Sequence, residues 1–295
     1  MIGFVIGTAL GIISALIYGR FKGKAGELTM AAMGIPLFTY LAAMGFYGGW
    51  NSVGDFVFFS TPLGDFTPNE LIGLETFLAT SVAFTYVWVR SKDALTVDEL
   101  TGTSLSVGYT LVAGAGLAAS GGLLPFLLSL ALVTGFGFLS YRDPWRALKA
   151  VPCTKILKEV VGGREIDCLT DDVSYGIYRS RGALVIGGKF IEEFPRWKEV
   201  VECLMEIPHS DTLQKVLGYG STFLMTAVGF ALRPDLLTVA IMYALAFVLT
   251  MGTAAYMVRS TRRYLREDCR EVMEEYVEFF RRKVKERDKR AIVVD

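Results

Sequence analysis

The chain has 295 residues, 52% of them hydrophobic, and its 30 Lys and Arg are balanced by 30 Asp and Glu. That balance leaves no basic field for nucleic acid, and the apolar share, with positive mean hydropathy, fits a membrane protein better than a soluble one. A single histidine excludes His-rich metal clusters, paired haem ligands and HExxH zinc helices, and four cysteines without a CxxC pair exclude a zinc knuckle.

The apolar residues come in blocks. A transmembrane helix needs roughly 20 mostly apolar residues, and spans are predicted at Ile2–Gly19, Leu28–Tyr47, Leu71–Val89, Ser104–Ser120, Leu123–Ser140, Val216–Leu232 and Leu236–Val258. The fold class is mainly α: a polytopic bundle of about seven transmembrane helices, a small α+β cytoplasmic insert and an amphipathic C-terminal helix. Residues 1–140 form the first transmembrane domain, 141–215 the insert, 216–258 a transmembrane hairpin and 259–295 the charged helix.

In the first span, Gly3, Gly7, Gly11, Ala15 and Gly19 repeat at every fourth position. Such a row lines one helix face and lets another backbone approach closely. It serves either packing inside the bundle or contact with a second copy through the Gly3/Gly7/Gly11 face. Positive charges follow this span instead of preceding it, so it is not read as a cleavable signal peptide. The loop Gly48–Asn69 is rich in aromatics (Trp50, Phe56, Phe58, Phe59, Phe66), which suits the outer membrane interface or a re-entrant contact with substrate or lipid. Glu75 lies just inside the third span, where an ionisable residue is a functional candidate unless it only reaches the interface. Gly108, Gly114, Gly116, Gly135 and Gly137 suggest close packing of the fourth and fifth spans.

Within the insert, Trp145–Val161 reads as a helix broken by Pro152. Ser174–Tyr178 and Ala183–Ile186 read as the strands of a hairpin around Arg179–Gly182. A helical segment at Lys189–Phe194 follows, then a helix from Arg196 to Ile207, stopped by Pro208. The tail, Ser260 to Arg290, spaces Leu265, Cys269, Val272, Tyr276 and Phe280 at helical intervals amid mixed charge. That pattern favours packing on the insert or the membrane surface over nucleic acid.

Charge orients the set. Lys and Arg follow the first, third, fifth and seventh spans, and the loops between are poor in them. The positive-inside rule places the N-terminus outside and the insert and C-terminus in the cytoplasm of a multi-pass cell-membrane protein. Cys153, Cys168, Cys203 and Cys269 all fall on that side, where reduced thiols are the default and disulfides are a hyperthermophile exception.

The order of elements in the insert carries a resemblance. A hairpin leads to Gly187-Gly-Lys-Phe-Ile-Glu-Glu-Phe, then to a helix ending Val201-Glu-Cys-Leu-Met-Glu-Ile-Pro-His-Ser-Asp211. Two membrane spans and Arg259-Ser-Thr-Arg-Arg-Tyr-Leu-Arg-Glu-Asp268 follow. Over about Asp167 to Met273 this resembles the membrane metallopeptidases of the HtpX/Ste24 type. The resemblance implies an HExxH helix with a nearby Asp and a third zinc ligand from the helix after the membrane hairpin. Aligned on Asp211, it puts Glu202 and Glu206 at the histidine positions, Cys203 at the catalytic glutamate, and Arg263 or Tyr264 near the third ligand. Those residues cannot run zinc hydrolysis, which needs imidazoles, an open coordination position and a carboxylate base. A degenerate module without catalytic residues or cofactor is therefore expected.

Glu202 and Glu206, four residues apart on one helix face, could with Glu267 or Asp268 form an oxygen site for Mg²⁺, Mn²⁺ or Ca²⁺. The plainer reading is a solvated acidic face. Beside Ser210 and Asp211, His209 is a weak catalytic cluster. The leading function is a non-catalytic scaffold or complex subunit that binds a protein partner or an extended peptide at the insert. The alternatives are a transporter or channel component with a pathway through the Gly-rich spans, or a metalloenzyme with an atypical carboxylate site.

Overall fold

The computed structural model describes residues 1–22, 24–47, 56–62, 64–91, 97–140, 151–153, 167–171, 175–180, 183–206, 211–264 and 266–293. The protein is mainly helical, with a small sheet. Chain contacts divide it into two compact units. Unit 1 comprises Met1–Ser91, Thr101–Arg142 and Lys215–Ala254; unit 2 comprises Lys92–Leu100, Asp143–Gln214 and Ala255–Asp295.

Unit 1 is built from α1 (Ile2–Lys22), α2 (Lys24–Tyr47), a hairpin of β1 (Phe59–Thr61) and β2 (Gly64–Phe66), α3 (Pro68–Ser91), all but the first turn of α4 (Val97–Ala119), and α5 (Leu123–Ser140). Most of α8 (Asp211–Ala231) and the first part of α9 (Leu236–Tyr264) complete it. Two stretches are long and apolar enough to cross a membrane, Pro68–Val87 in α3 and Leu236–Tyr256 in α9. Within the described residues, the other five expected spans fall on the apolar stretches Ile2–Ile17, Ala31–Tyr47, Val107–Ala119, Leu123–Phe136 and Val216–Ala231. Among the described residues, two of the seven expected spans are thus shown at full length.

The glycine row of α1 is used inside the chain. A Cβ at Gly3, Gly7 or Gly11 would lie closer than 3.0 Å to Ala43, Thr39 or Ile35 of α2, so the absence of side chains lets the two helices touch backbone to backbone. The face considered for a second copy is occupied by α2. Gly114 packs against Thr80 and Gly116 against Met225 and Met242, whereas a Cβ at Gly108 or Gly135 would meet nothing within 4 Å among the described residues.

Buried hydroxyls join the helices. Thr110 Oγ1 donates to the Ala32 carbonyl (2.9 Å), Tyr243 donates to the Met33 carbonyl (3.0 Å), and Tyr40 shares a 3.1 Å hydrogen bond with Ser120. With no water at hand, such groups must find partners within the protein. The central core gathers Tyr40, Met44, Ile72, Leu117, Met225 and Met242 from five helices.

Unit 2 holds a four-stranded sheet of β3 (Val151–Pro152), β4 (Asp167–Asp171), β5 (Ile177–Ser180) and β6 (Ala183–Gly187), in the order β3-β4-β6-β5. β4 and β6 run parallel, with Cys168 opposite Leu184; the other two pairings are antiparallel. The helices are α6 (Gly188–Glu193), α7 (Trp197–Glu206) and α10 (Glu267–Val293). Leu184, Ile186, Phe190, Phe194, Val201 and Val272 meet in one core.

Three expectations are corrected here. Val151–Pro152 is an edge strand, not part of a helix; proline lacks the N–H a central strand would need and is tolerated at an edge. Residues 141–150, 154–166 and His209 lie outside the described residues. β5 is offset toward the C-terminus from the strand expected at Ser174–Tyr178. The tail is not one helix from Ser260: that stretch closes α9, and the amphipathic helix begins at Glu267. Glu267 and Asp268 in its first turn suit the positive helix end.

Candidate functional site

The amphipathic pattern of α10 decides what it packs on. Cys269, Val272 and Phe279 are buried and Tyr276 partly so, spaced three or four residues apart on one face. That face meets an aromatic cluster: Phe190 lies 5.1 Å from Tyr276 and 5.4 Å from Phe194, and Phe194 lies 5.2 Å from Phe279. These centroid separations are those at which rings attract beyond simple burial.

Along this seam α10 runs antiparallel to α7 and α6, and its ties follow in order. Arg266 pairs with Glu206 (3.0 Å), Cys269 is disulfide-bonded to Cys203, Glu275 pairs with Arg196 (3.0 Å), and Lys283 pairs with Glu193 (2.6 Å). The Arg196 guanidinium also grips Glu199. It holds that carboxyl below the usual carboxylate range, and its own pKa rises in return. Lys283 does the same to Glu193 and is itself raised by it.

The residues singled out as metal ligands lie at one end of this seam. Glu206 and Asp268 do come together, but around a guanidinium. Arg266 donates from Nε to Asp268 Oδ1 (3.1 Å), from Nη2 to Asp268 Oδ2, and from Nη1 to Glu206 Oε1 (3.0 Å). The hydrogen bond from Arg266 lowers the Asp268 pKa, and that carboxylate raises the pKa of Arg266. Glu202 is exposed one turn earlier and, among the described residues, makes no ion pair. No three acidic, cysteine or histidine side chains among the described residues are close enough to hold a metal. Two of the carboxylates considered for an oxygen site with Glu202, namely Glu206 and Asp268, thus belong to an Arg-centred ion-pair network, with a fixed cation between them. Glu267 is exposed on the same turn as Asp268.

Cys203, at the position that the resemblance gives to a catalytic base, is the partner of Cys269, with Cα atoms 5.6 Å apart. Cys153 and Cys168 are joined across β3 and β4 at 5.3 Å, beside the backbone hydrogen bond from Cys153 N–H to the Cys168 carbonyl (2.9 Å). The expectation of reduced thiols is corrected: all four cysteines are paired. A trace of the second pairing was present in sequence, since Cys203 and Cys269 both fall on the apolar face of their helices.

Unit 1 has its own candidate, which sequence reasoning noted and did not favour. Glu75 is fully buried. Its carboxylate accepts from the Tyr47 hydroxyl (2.8 Å) and the Phe4 backbone N–H (3.1 Å) and pairs with the α-amino group of Met1. The Met1 amino group also donates to Tyr47 (3.0 Å). The room for this comes from Gly3, where any Cβ would strike Glu75 Oε2. Glu75 thus caps the first turn of α1, where free N–H groups and the helix dipole favour an anion.

No protein-family model matches the chain, and no match was found among curated proteins or among solved structures.

Proposed function

We propose that the chain is a polytopic membrane protein whose second unit is a non-catalytic module of metallopeptidase-like plan that holds a protein partner or an extended peptide. One observation carries the non-catalytic reading: Arg266 fills the space between Glu206 and Asp268, next to the Cys203–Cys269 bond. At the point where the resemblance calls for two zinc ligands and a base, the protein has a guanidinium and a disulfide. A cation entering there would meet a positive charge held by two carboxylates, and a disulfide sulfur takes no proton from water.

The membrane reading draws on the outer faces of unit 1. Val5, Leu10, Ile13 and Leu16 of α1 and Leu237, Phe247 and Val248 of α9 are exposed, apolar faces of a kind that suits lipid better than water. The seven apolar stretches then act as spans, some short or tilted, with unit 2 on the cytoplasmic side by charge. With two disulfides in unit 2, that side is a disulfide-permissive cytoplasm of the hyperthermophile kind.

The binding surface is the β5 edge. Among the described residues β5 pairs with β6 alone, and its other side is the edge that strand addition would use. Part of that side is already used: the Ile177 N–H donates to the Tyr276 hydroxyl (3.2 Å). An incoming peptide replaces this hydroxyl, and α10 thereby tunes the affinity. The transport alternative is less well served, since Glu75 is held by donors of the chain itself.

The test is direct. Protein purified in detergent should bind no stoichiometric zinc and leave unfolded membrane-protein substrates intact while retaining extended peptides. Stoichiometric zinc together with cleavage sinks the proposal.

A further inference from the structure

The loop between α2 and α3 carries a feature that the function above does not use. β1 and β2 form a two-stranded hairpin in register Phe59↔Phe66 and Thr61↔Gly64. Its turn is fixed by Gly64, whose φ of 128° lies where side chains are disfavoured, and by the Thr61 hydroxyl donating to the Gly64 carbonyl (2.7 Å). Such local closure holds a shape without a core. What it displays is apolar: Phe56, Val57, Phe58 and Phe59 are 62%, 44%, 44% and 54% exposed. Phe59 stacks on Phe66 at 4.7 Å and Phe56 meets Phe58 edge-on at 5.0 Å, so the rings form two pairs on one small element. Between Phe56 and Thr67 the sequence has a single charge, Asp65, and no Lys or Arg.

We infer that the β1–β2 hairpin is a lipid-contact element that seats its exposed phenylalanines at the headgroup level of the bilayer. The inference rests on the membrane reading of unit 1. Three observations select lipid as the occupant. The hairpin is continuous with the apolar stretch Pro68–Val87, which begins two residues after Phe66, so it stands at the mouth of a candidate span. Its composition, aromatic and nearly uncharged, is that of the interfacial belt. Its backbone also sets the depth. Among the described residues β1 and β2 pair only with each other, so the sheet itself supplies no third strand to either outer edge. Hydrocarbon forbids such edges, whereas headgroups and their water satisfy them. The rings therefore enter the acyl boundary while the strands stay above it.

The four native cysteines are paired, so one introduced cysteine offers the only thiol for an environment-sensitive dye. Full-length protein with Phe59→Cys or, separately, Phe56→Cys is labelled and reconstituted into phosphatidylcholine liposomes. These carry a nitroxide either shallow or deep on the acyl chain. Phe247→Cys in α9, exposed in the middle of a candidate span, is the reference. Both hairpin labels should shift to the blue and lose about half their intensity to the shallow nitroxide and little to the deep one, with Phe247 showing the reverse depth preference. If Phe247 is quenched and neither hairpin label is, the hairpin inference falls alone. A blue shift without nitroxide quenching means that protein, a second copy included, covers the hairpin, and it overturns the inference equally. If the Phe247 label is also unquenched, the membrane reading itself has failed.

Discussion

The two units solve the same problem of unpaired polarity in opposite ways. Unit 1 turns apolar side chains outward along α1 and α9 and takes polar groups inward, where Thr110, Tyr243 and Glu75 find partners on a neighbouring helix. Unit 2 keeps its aromatics inside and lines its seam with exposed ion pairs centred on Arg196, Arg266 and Lys283. In unit 1 a buried polar group has no water to fall back on, so its loss is expensive. In unit 2 the charges compete with water at every moment, and their value lies in setting the order of pairing along α10 more than in strength.

Stability measurements on single variants can break this contrast. The largest effect belongs to the covalent tie. Replacing Cys203 and Cys269 by Ser together opens a loop with a sequence separation of 66. It should lower the stability of unit 2 by about 4 kcal/mol on the loop-closure model. Hydrogen exchange should report faster opening at α7 and α10 and little change at α3. Next comes Glu75→Ala, which orphans the Tyr47 hydroxyl and the Phe4 N–H; it should cost about 2–3 kcal/mol and loosen α1 in the same measurement while leaving unit 2 untouched. Gly7→Ala follows, at about 1–3 kcal/mol, because its methyl group would strike the α2 backbone at Thr39. A Gly7→Ala protein as stable as the wild type would show that the α1–α2 contact is looser than its geometry.

The charged seam should respond least, and with a definite sign. Asp268, Glu199 and Glu193 have folded pKa values below the ordinary carboxylate range. Their contribution is therefore present above that range and is lost as pH falls through the depressed values. Exchange at α10 should rise in acid and in high salt, and stay flat between neutral and mildly alkaline pH. Tyr276→Phe tests the seam from the side of function: by freeing the Ile177 N–H it should strengthen binding of an extended peptide several-fold, measured by fluorescence anisotropy. Unchanged affinity would move the peptide site away from β5.

Much of the local structure could be read from the residues. The strand at Ala183–Gly187 and the helices around Val200 and Val272 followed from β-branched runs, turn residues and helical periodicity. That one helix ends at Tyr264 and the next begins at Glu267 was hidden, because the tail keeps its apolar spacing across the end of α9 and nothing in the sequence marks where one helix stops. The edge strand at Val151–Pro152 was hidden because two residues carry no period; only their pairing with Leu169 and Thr170 makes them a strand. At the candidate site, Glu206 and Asp268 were visible as acidic residues flanking a pair of apolar stretches. What lies between them was not, since Arg266 belongs to a run of arginines with no sequence mark that sets it apart.

Sequence alone determined the balance of charge, the apolar blocks, the small-residue face of α1 and the lack of histidines for zinc. These are one-dimensional properties, set by composition and by spacing within a single element. Tertiary structure alone decided that the glycine face meets α2, that Glu75 caps α1, that the cysteines pair, and that a guanidinium sits where a metal was considered. Each of these joins side chains from different elements, and their distances depend on how helices pack and not on any spacing along the chain.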